Sequence, residues 1–105
     1  MGAPPNLTPD QRRAALAKAA TARRERAEFK LAVKNGTARW LDALDSESEA
    51  LQRLRVRELI ESIPGLGEIR ATSIMERAGI SPTRRVQGLG RAQRNLLLEL
   101  LRNRS

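Results

Sequence analysis

At 105 residues the chain has the length of one small domain with an appendage, too short for the large core of a multi-step enzyme. It contains no cysteine and no histidine, which removes disulfides, thiol nucleophiles, thiolate zinc sites and the commonest general base, so neither a metal nor another cofactor is expected. Twenty Lys and Arg against twelve Asp and Glu leave a net charge of +8, a balance that suits polyanionic partners, while Phe29 and Trp40 are the only aromatics and too few to stack bases.

A disordered start is expected over residues 1–7. The run Thr8, Pro9, Asp10, Gln11 then reads as a helix start, with Thr8 as N-cap, Pro9 at the first helical position and Gln11 completing a capping box. Gly36 is the stop, so residues 8–36 are expected to form one long helix. Its first half is Ala and Arg with Leu16 as the one large apolar group, and Ala sustains a helix that has little to bury. Ala27, Phe29, Leu31, Ala32 and Val33 give the later half something to dock. The expectation is a basic arm that protrudes at its start and packs at its end, with Arg12, Arg13, Lys18, Arg23, Arg24 and Arg26 spread around the rod. Residues 1–36 carry 8 basic and 3 acidic side chains.

The middle reverses the sign, with 4 basic and 6 acidic residues over 37–62. Thr37 can cap a helix carrying Trp40, Leu41 and Leu44, and Ser46 with Glu49 makes a second capping box ahead of Leu51 and Leu54. Val56, Leu59, Ile60 and Ile63 lie at helical spacing over 56–63 before Pro64 stops the chain. The pattern returns over 68–78 with Ile69, Thr72, Ile74 and Met75, and over 91–102 around Leu96, Leu97, Leu100 and Leu101; the tail 103–105 is expected to fray. No stretch alternates with period two, so the class is all-α, a compact bundle of short helices over 37–105 following the long helix.

The most informative stretch is Ile63-Pro64-Gly65-Leu66-Gly67-Glu68-Ile69-Arg70-Ala71, where one helix ends and the next begins across two glycines. Gly65 and Gly67 can take positive φ and admit a phosphate to the backbone, Leu66 can plug the turn into the core, and Ala71 is small where helices cross. A helix N-terminus with unpaired amides is a ready phosphate site that grips backbone without reading bases. The segment resembles the helix-hairpin-helix motif of DNA-binding proteins, apolar-Pro-Gly-apolar-Gly followed by Ala and Ile at fixed spacing, and meets every position through Ile74.

A second compact connection follows. Ser81 and Pro82 read as the cap and first residue of a short helical turn, Ile80, Val86 and Leu89 as pins to the core, and Arg84, Arg85 and Gln87 as outward groups. Gly88 and Gly90 lead into the last helix, where Gly90 leaves the amides of Arg91, Ala92 and Gln93 uncovered. Hairpin and loop together look like a helix-two-turn-helix unit over about residues 55–103, in which both turns hold phosphates.

From the Thr-Pro-Asp-Gln start through the Ala/Arg helix, the acidic Leu-rich middle, Ile-Pro-Gly-Leu-Gly and Ser-Pro-Thr-Arg-Arg-Val-Gln-Gly-Leu-Gly, the chain resembles the actinobacterial integration host factor family. The resemblance implies a nucleoid-associated, cytoplasmic protein that binds double-stranded DNA with little sequence preference, bends it, and influences topology, recombination and transcription. Gln87 departs from the basic residue expected there and weakens one contact. The candidate site is Pro64, Gly65, Leu66, Gly67, Glu68, Arg70, Arg84, Arg85, Gln87, Gly88, Gly90, Arg91 and Arg94, with the arm cations as a second DNA surface. A monomer in solution that can assemble on DNA is expected.

Other readings fit less well. A ribosomal small-subunit family shares the two turns, but its members usually carry a long basic tail at the C-terminus, and here the basic extension stands in front. DNA glycosylases that form a Schiff base need a Lys after the hairpin or an N-terminal Pro, and this chain has no Lys beyond Lys34. The acidic residues of the middle read as caps and solvated faces, so no enzymatic activity or small-molecule substrate is expected. A membrane role is not expected either, because Leu16 alone offers too little apolar surface beside the arm's cations.

Overall fold

A computed structural model describes residues 7–102. Residues 1–6 of the disordered start expected over 1–7, and the frayed tail 103–105, lie outside the described residues. The architecture is all-helical, as the periodicity implies: α1 (Pro9–Lys34), a 3-10 turn (Trp40–Ala43), α2 (Glu49–Gln52), α3 (Val56–Glu61), α4 (Glu68–Arg77), a second 3-10 turn (Val86–Gly88) and α5 (Arg91–Leu100).

The 26 residues of α1 make a rod of about 39 Å at 1.5 Å per residue. The capping box forms as expected: the Gln11 amide donates to Thr8 Oγ1 at 3.1 Å and the Thr8 amide to Gln11 Oε1 at 3.0 Å. At the far end Gly36 takes φ 80, Thr37 N donates to Ala32 O at 2.8 Å and Gly36 N to Val33 O at 3.1 Å. These two bonds close a Schellman turn. Thr37 is thereby consumed in ending α1, its hydroxyl also donating to Ala32 O, and it does not cap the next element. Asp42 does that work by accepting the Arg39 amide at 3.2 Å, in a 3-10 turn where a longer helix was expected.

The second cap is displaced by two residues. Ser48, not Ser46, accepts the Leu51 amide at 3.2 Å, and Ser46 Oγ accepts the Ser48 amide. The helix then stops after one turn, because the Gln52 side chain folds back to Ala43 O and Ser46 O. Extended backbone follows at Arg55, whose φ and ψ are −73 and 135. Here Val56 N donates to Arg84 O at 3.0 Å and Val86 N to Leu54 O at 2.9 Å, an antiparallel bridge between Arg55 and Arg85 that periodicity does not reveal. Among the described residues it is the one departure from helix and turn. The helical turn expected at Ser81 and Pro82 is instead a hydrogen-bonded β-turn, closed by Arg84 N on Ser81 O at 3.1 Å, a geometry that suits Pro in second position.

The core is aliphatic around one indole. Trp40, Leu54, Leu59, Ile60, Ile63, Leu97, Leu101, Val33 and Val56 are all but fully buried, and Leu66 plugs into the same cluster from the hairpin. The Trp40 indole N–H is buried without an acceptor. Only Val33 of α1 is buried, with Phe29 partly covered; Leu31 is exposed and Ala27 too, so the arm docks by less apolar surface than expected. Polar contacts supplement it: Ser48 Oγ donates to the Glu25 carboxylate, and Lys30 Nζ donates to Glu58 Oε1 at 2.8 Å. The radius of gyration is 16.0 Å, against about 13 Å for a compact chain of this size, as a protruding arm requires. No helix of the described residues is long and apolar enough to cross a membrane.

Burial separates two leucines cleanly. Leu59→Ala, at a site with no exposure, is expected to cost about 3 kcal/mol, whereas Leu31→Ala, on the open side of α1, should stay within about 0.5 kcal/mol. Urea denaturation of both variants, compared at equal m-value, measures the contrast.

Candidate nucleic-acid interface

Two of the glycines at the hairpin do different things. Gly65 has φ 84, a left-handed conformation that follows the end of α3 and lets Leu66 N reach Ile63 O at 3.1 Å. Gly67 does not share the positive φ expected of it: it is the N-cap of α4 with φ −92 and ψ −173, without any side-chain cap, and a Cβ there would meet nothing within 4 Å. The fold therefore needs glycine at 65 and tolerates a side chain at 67. What glycine at 67 leaves is bare backbone at the positive end of a helix dipole.

The same arrangement recurs at the second turn. Gly90 caps α5 with φ −78 and no side chain of its own, and a Cβ would meet only Gln93 Oε1, at 3.9 Å. Its own amide is satisfied by Gln93 Oε1 at 3.1 Å, while Gln93 Nε2 donates to Gly79 O at 2.8 Å. Gln93 thus clamps the end of α4 to the start of α5. Gly79, in the left-handed region at φ 69, ends α4 by a Schellman turn with Ile80 N on Met75 O.

The arginines of the second turn are less free than expected. Arg84 Nη1 donates to Gly88 O at 3.0 Å, and its Nε is buried without a partner. A Cβ at Gly88 would meet Arg84 Cδ at 3.1 Å, so Gly88 makes room for this folded arginine. Arg85 Nη1 donates to Arg53 O at 2.6 Å. Both guanidiniums brace backbone through Nη1. Gln87 and Arg91 are exposed. Arg94 is not a free flanking cation either, since it pairs with Asp45.

At the hairpin Arg70 is exposed and donates to Gly65 O at 3.4 Å. Glu68 brings a carboxylate to the very turn that was expected to bind phosphate. Arg57 offsets it, donating to Glu68 Oε1 at 3.2 Å and to Glu61 Oε2 at 3.1 Å. Sequence spacing gives no sign of Arg57, because only the fold carries α3 alongside the start of α4. Pro64 and Leu66 are structural, Pro64 ending α3 and Leu66 packing inward.

The antiparallel bridge brings the second turn to the arm. Lys18, Arg23 and Arg26 of α1, with Arg53, Arg85 and Gln87, line one concave face between α1 and α2, floored by Ala15, Ala19 and Ala22. Five cations share it with one carboxylate, Glu49, which pairs with Arg53 at 3.1 Å and Lys18 at 3.9 Å. Arg55 and Lys30 extend the same basic crook toward α3. In sequence Arg53 and Arg55 belong to the acidic middle; the bridge converts them into neighbours of Arg85. Arg12, Arg13 and Arg24 stand outside the crook on exposed faces of α1, Arg13 paired with Asp10 at 3.3 Å. Among the described residues no group of acidic side chains could hold a metal ion.

Comparison with known proteins shows the family and the fold. Residues 34–101 match the family model described as S13-like H2TH domain. The chain is 50% identical over 91 residues to the integration host factor of Streptomyces coelicolor, covering 85% of each chain. It is 48% identical over 97 residues to the integration host factor of Mycobacterium tuberculosis, covering 90% of this chain and 92% of that one. A solved structure of sIHF bound to an 8-base-pair palindromic DNA superposes with a TM-score of 0.74 at 43% identity, covering 85% of this chain and 99% of the other.

The two hairpin glycines give a stability test that needs no ligand. Gly65→Ser should cost about 1–2 kcal/mol, because its φ is left-handed, and Gly67→Ser, at an N-cap with open space for the side chain, should leave the melting midpoint unchanged or raise it. Thermal melts followed by circular dichroism distinguish them, and an equal loss for both would contradict the geometry.

Proposed function

We propose, on the premise that the chain belongs to the actinobacterial integration host factor family, that it is a nucleoid-associated protein of the cytoplasm that binds duplex DNA through backbone phosphates. The observation that carries this reading is the pair of glycine N-caps: Gly67 and Gly90 open two ten-residue helices with no N-cap side chain on the first-turn amides, and a Cβ at either would meet nothing closer than 3.9 Å. Peptide amides at a dipole's positive end recognise phosphate and carry no base information. The sIHF chain that superposes on this one is bound to DNA, which supports the same ligand here.

In this reading the amides that follow Gly67 and Gly90 each hold a phosphate, Arg84 and Arg85 supply charge beside the second, and Arg70 and Arg91 flank. Glu68 opposes binding, and Arg57 is the group that neutralises it. Arg94 joins by exchanging Asp45 for a phosphate. The crook of Lys18, Arg23, Arg26, Arg53 and Arg85 then takes a further stretch of backbone, and holding one duplex at both the turns and the arm bends it at a cost of a few kcal/mol. Arg12, Arg13 and Arg24 extend the second DNA surface along the arm. Effects on DNA topology, recombination and transcription follow from bending without base readout. The protein binds as a monomer and assembles on DNA. The ribosomal reading, suggested by the S13-like description of the matched family model, predicts a preference for structured RNA instead.

About five phosphate contacts give a slope of log affinity on log salt near −4.5. Salt-stepped titration against random duplex DNA should return that slope, and the double substitution of Arg84 and Arg85 by Ala should flatten it by about 2 while weakening all sequences alike. An unchanged slope in the double variant contradicts the assignment, and clear preference for a structured RNA of equal length favours the ribosomal reading. Replacing Glu68 by Gln should tighten DNA binding, by about 3-fold for one like-charge contact near the surface, in the same titration.

A further inference from the structure

Ile69 is 85% exposed, more than any other large apolar side chain among the described residues. It stands at the second position of α4 as a ridge between two shallow concavities. One is lined by Gly65, Gly67, Glu68 and Arg70 and offers peptide amides and a guanidinium beside the Glu68 carboxylate. The other, lined by Glu68, Thr72, Ser73 and Glu76, offers hydroxyls and two carboxylates, which repel a phosphate strand. Ile69 is thus an aliphatic group with no part in the core, standing at the rim of the concavity that holds the hairpin amides and Arg70.

The fold alone does not decide between DNA and RNA, since a ribosomal family shares the two turns. A strand whose phosphate lies on the hairpin amides brings the adjoining sugar against the side chain of the same helical turn. At C2′ that sugar carries a methylene in DNA and a hydroxyl, both donor and acceptor, in RNA. An aliphatic side chain pressed on C2′ hides apolar surface in DNA, and in RNA it strips water from a hydroxyl without replacing the lost hydrogen bond. We propose that Ile69 is the sugar-contacting residue by which the hairpin prefers DNA to RNA. This rests on the phosphate-binding reading of the hairpin.

The test titrates the whole chain, its Ile69→Val variant and its Ile69→Ser variant with a DNA duplex and an RNA duplex of the same sequence at one salt concentration. The unaltered chain should favour DNA by about ten-fold, the scale of one unpaired hydroxyl. Ile69→Val should keep that ratio, and Ile69→Ser, whose hydroxyl can pair with the sugar's, should bring it toward one chiefly by tighter RNA binding. Thermal melts of all three proteins should coincide, because the side chain touches no core. A DNA preference that survives Ile69→Ser, or equal binding of both duplexes by the unaltered chain, overturns the inference and leaves the phosphate reading standing. Failure of the unaltered chain to bind either duplex overturns both.

Discussion

Two backbone hydrogen bonds, Val56 N to Arg84 O and Val86 N to Leu54 O, fix the relation between the parts of this molecule that bear charge. They lace the second turn antiparallel to the segment entering α3. Because both neighbours of the bridge, Val56 and Val86, are buried, the lacing is sheltered from water, where a backbone bond is most costly to leave unmade. The side chains of Arg84 and Arg85 are then held against Gly88 O and Arg53 O. Without that register the second turn would be a solvated loop, and the acidic middle would not contribute Arg53 and Arg55 to the crook beside the arm.

The distribution of glycine follows from the same economy of backbone. Gly36, Gly65 and Gly79 have positive φ and are required by the turns they make. Gly67 and Gly90 are not so required, and both sit where Ser, Thr, Asp or Asn would ordinarily cap a helix. The chain uses such caps freely elsewhere, Thr8 at α1 and Ser48 at α2. In the proposed reading, glycine at these two N-caps leaves the first-turn amides of α4 and α5 to an external acceptor. Cation pairing tells the same story from the other side: Arg57 and Arg94 are engaged by carboxylates, while Arg70 is held only through one carbonyl.

The all-helical class, the capping box at Thr8, the stop at Gly36 and the two turns were legible because each depends on residues close in sequence. The relationship to integration host factors was legible for the same reason, being carried by the contiguous motifs at 63–71 and 81–90. Caps are misplaced where nearby residues compete for one group. Thr37 has the makings of an N-cap, yet the Schellman turn of α1 claims it; Ser46 has a partner at Glu49, yet Ser48 wins the Leu51 amide. Ile69 and Thr72 fit an apolar stripe on spacing, but the stripe that faces the core is Ala71, Ile74 and Met75. The bridge, the Arg57 link between α3 and α4 and the convergence of Arg53 with the arm join residues far apart in the chain, which no periodicity reports.

Bare amides at two helix starts are, in this account, the groups that meet DNA. The most direct measurement is a proton–nitrogen correlation spectrum of the isotope-labelled chain titrated with two duplexes of unrelated sequence. The amides of residues 67–70 and 91–93 are predicted to shift most, to the same extent with both duplexes and reversibly on addition of salt. Shifts confined to other parts of the surface, or differing in place between the two sequences, would contradict it.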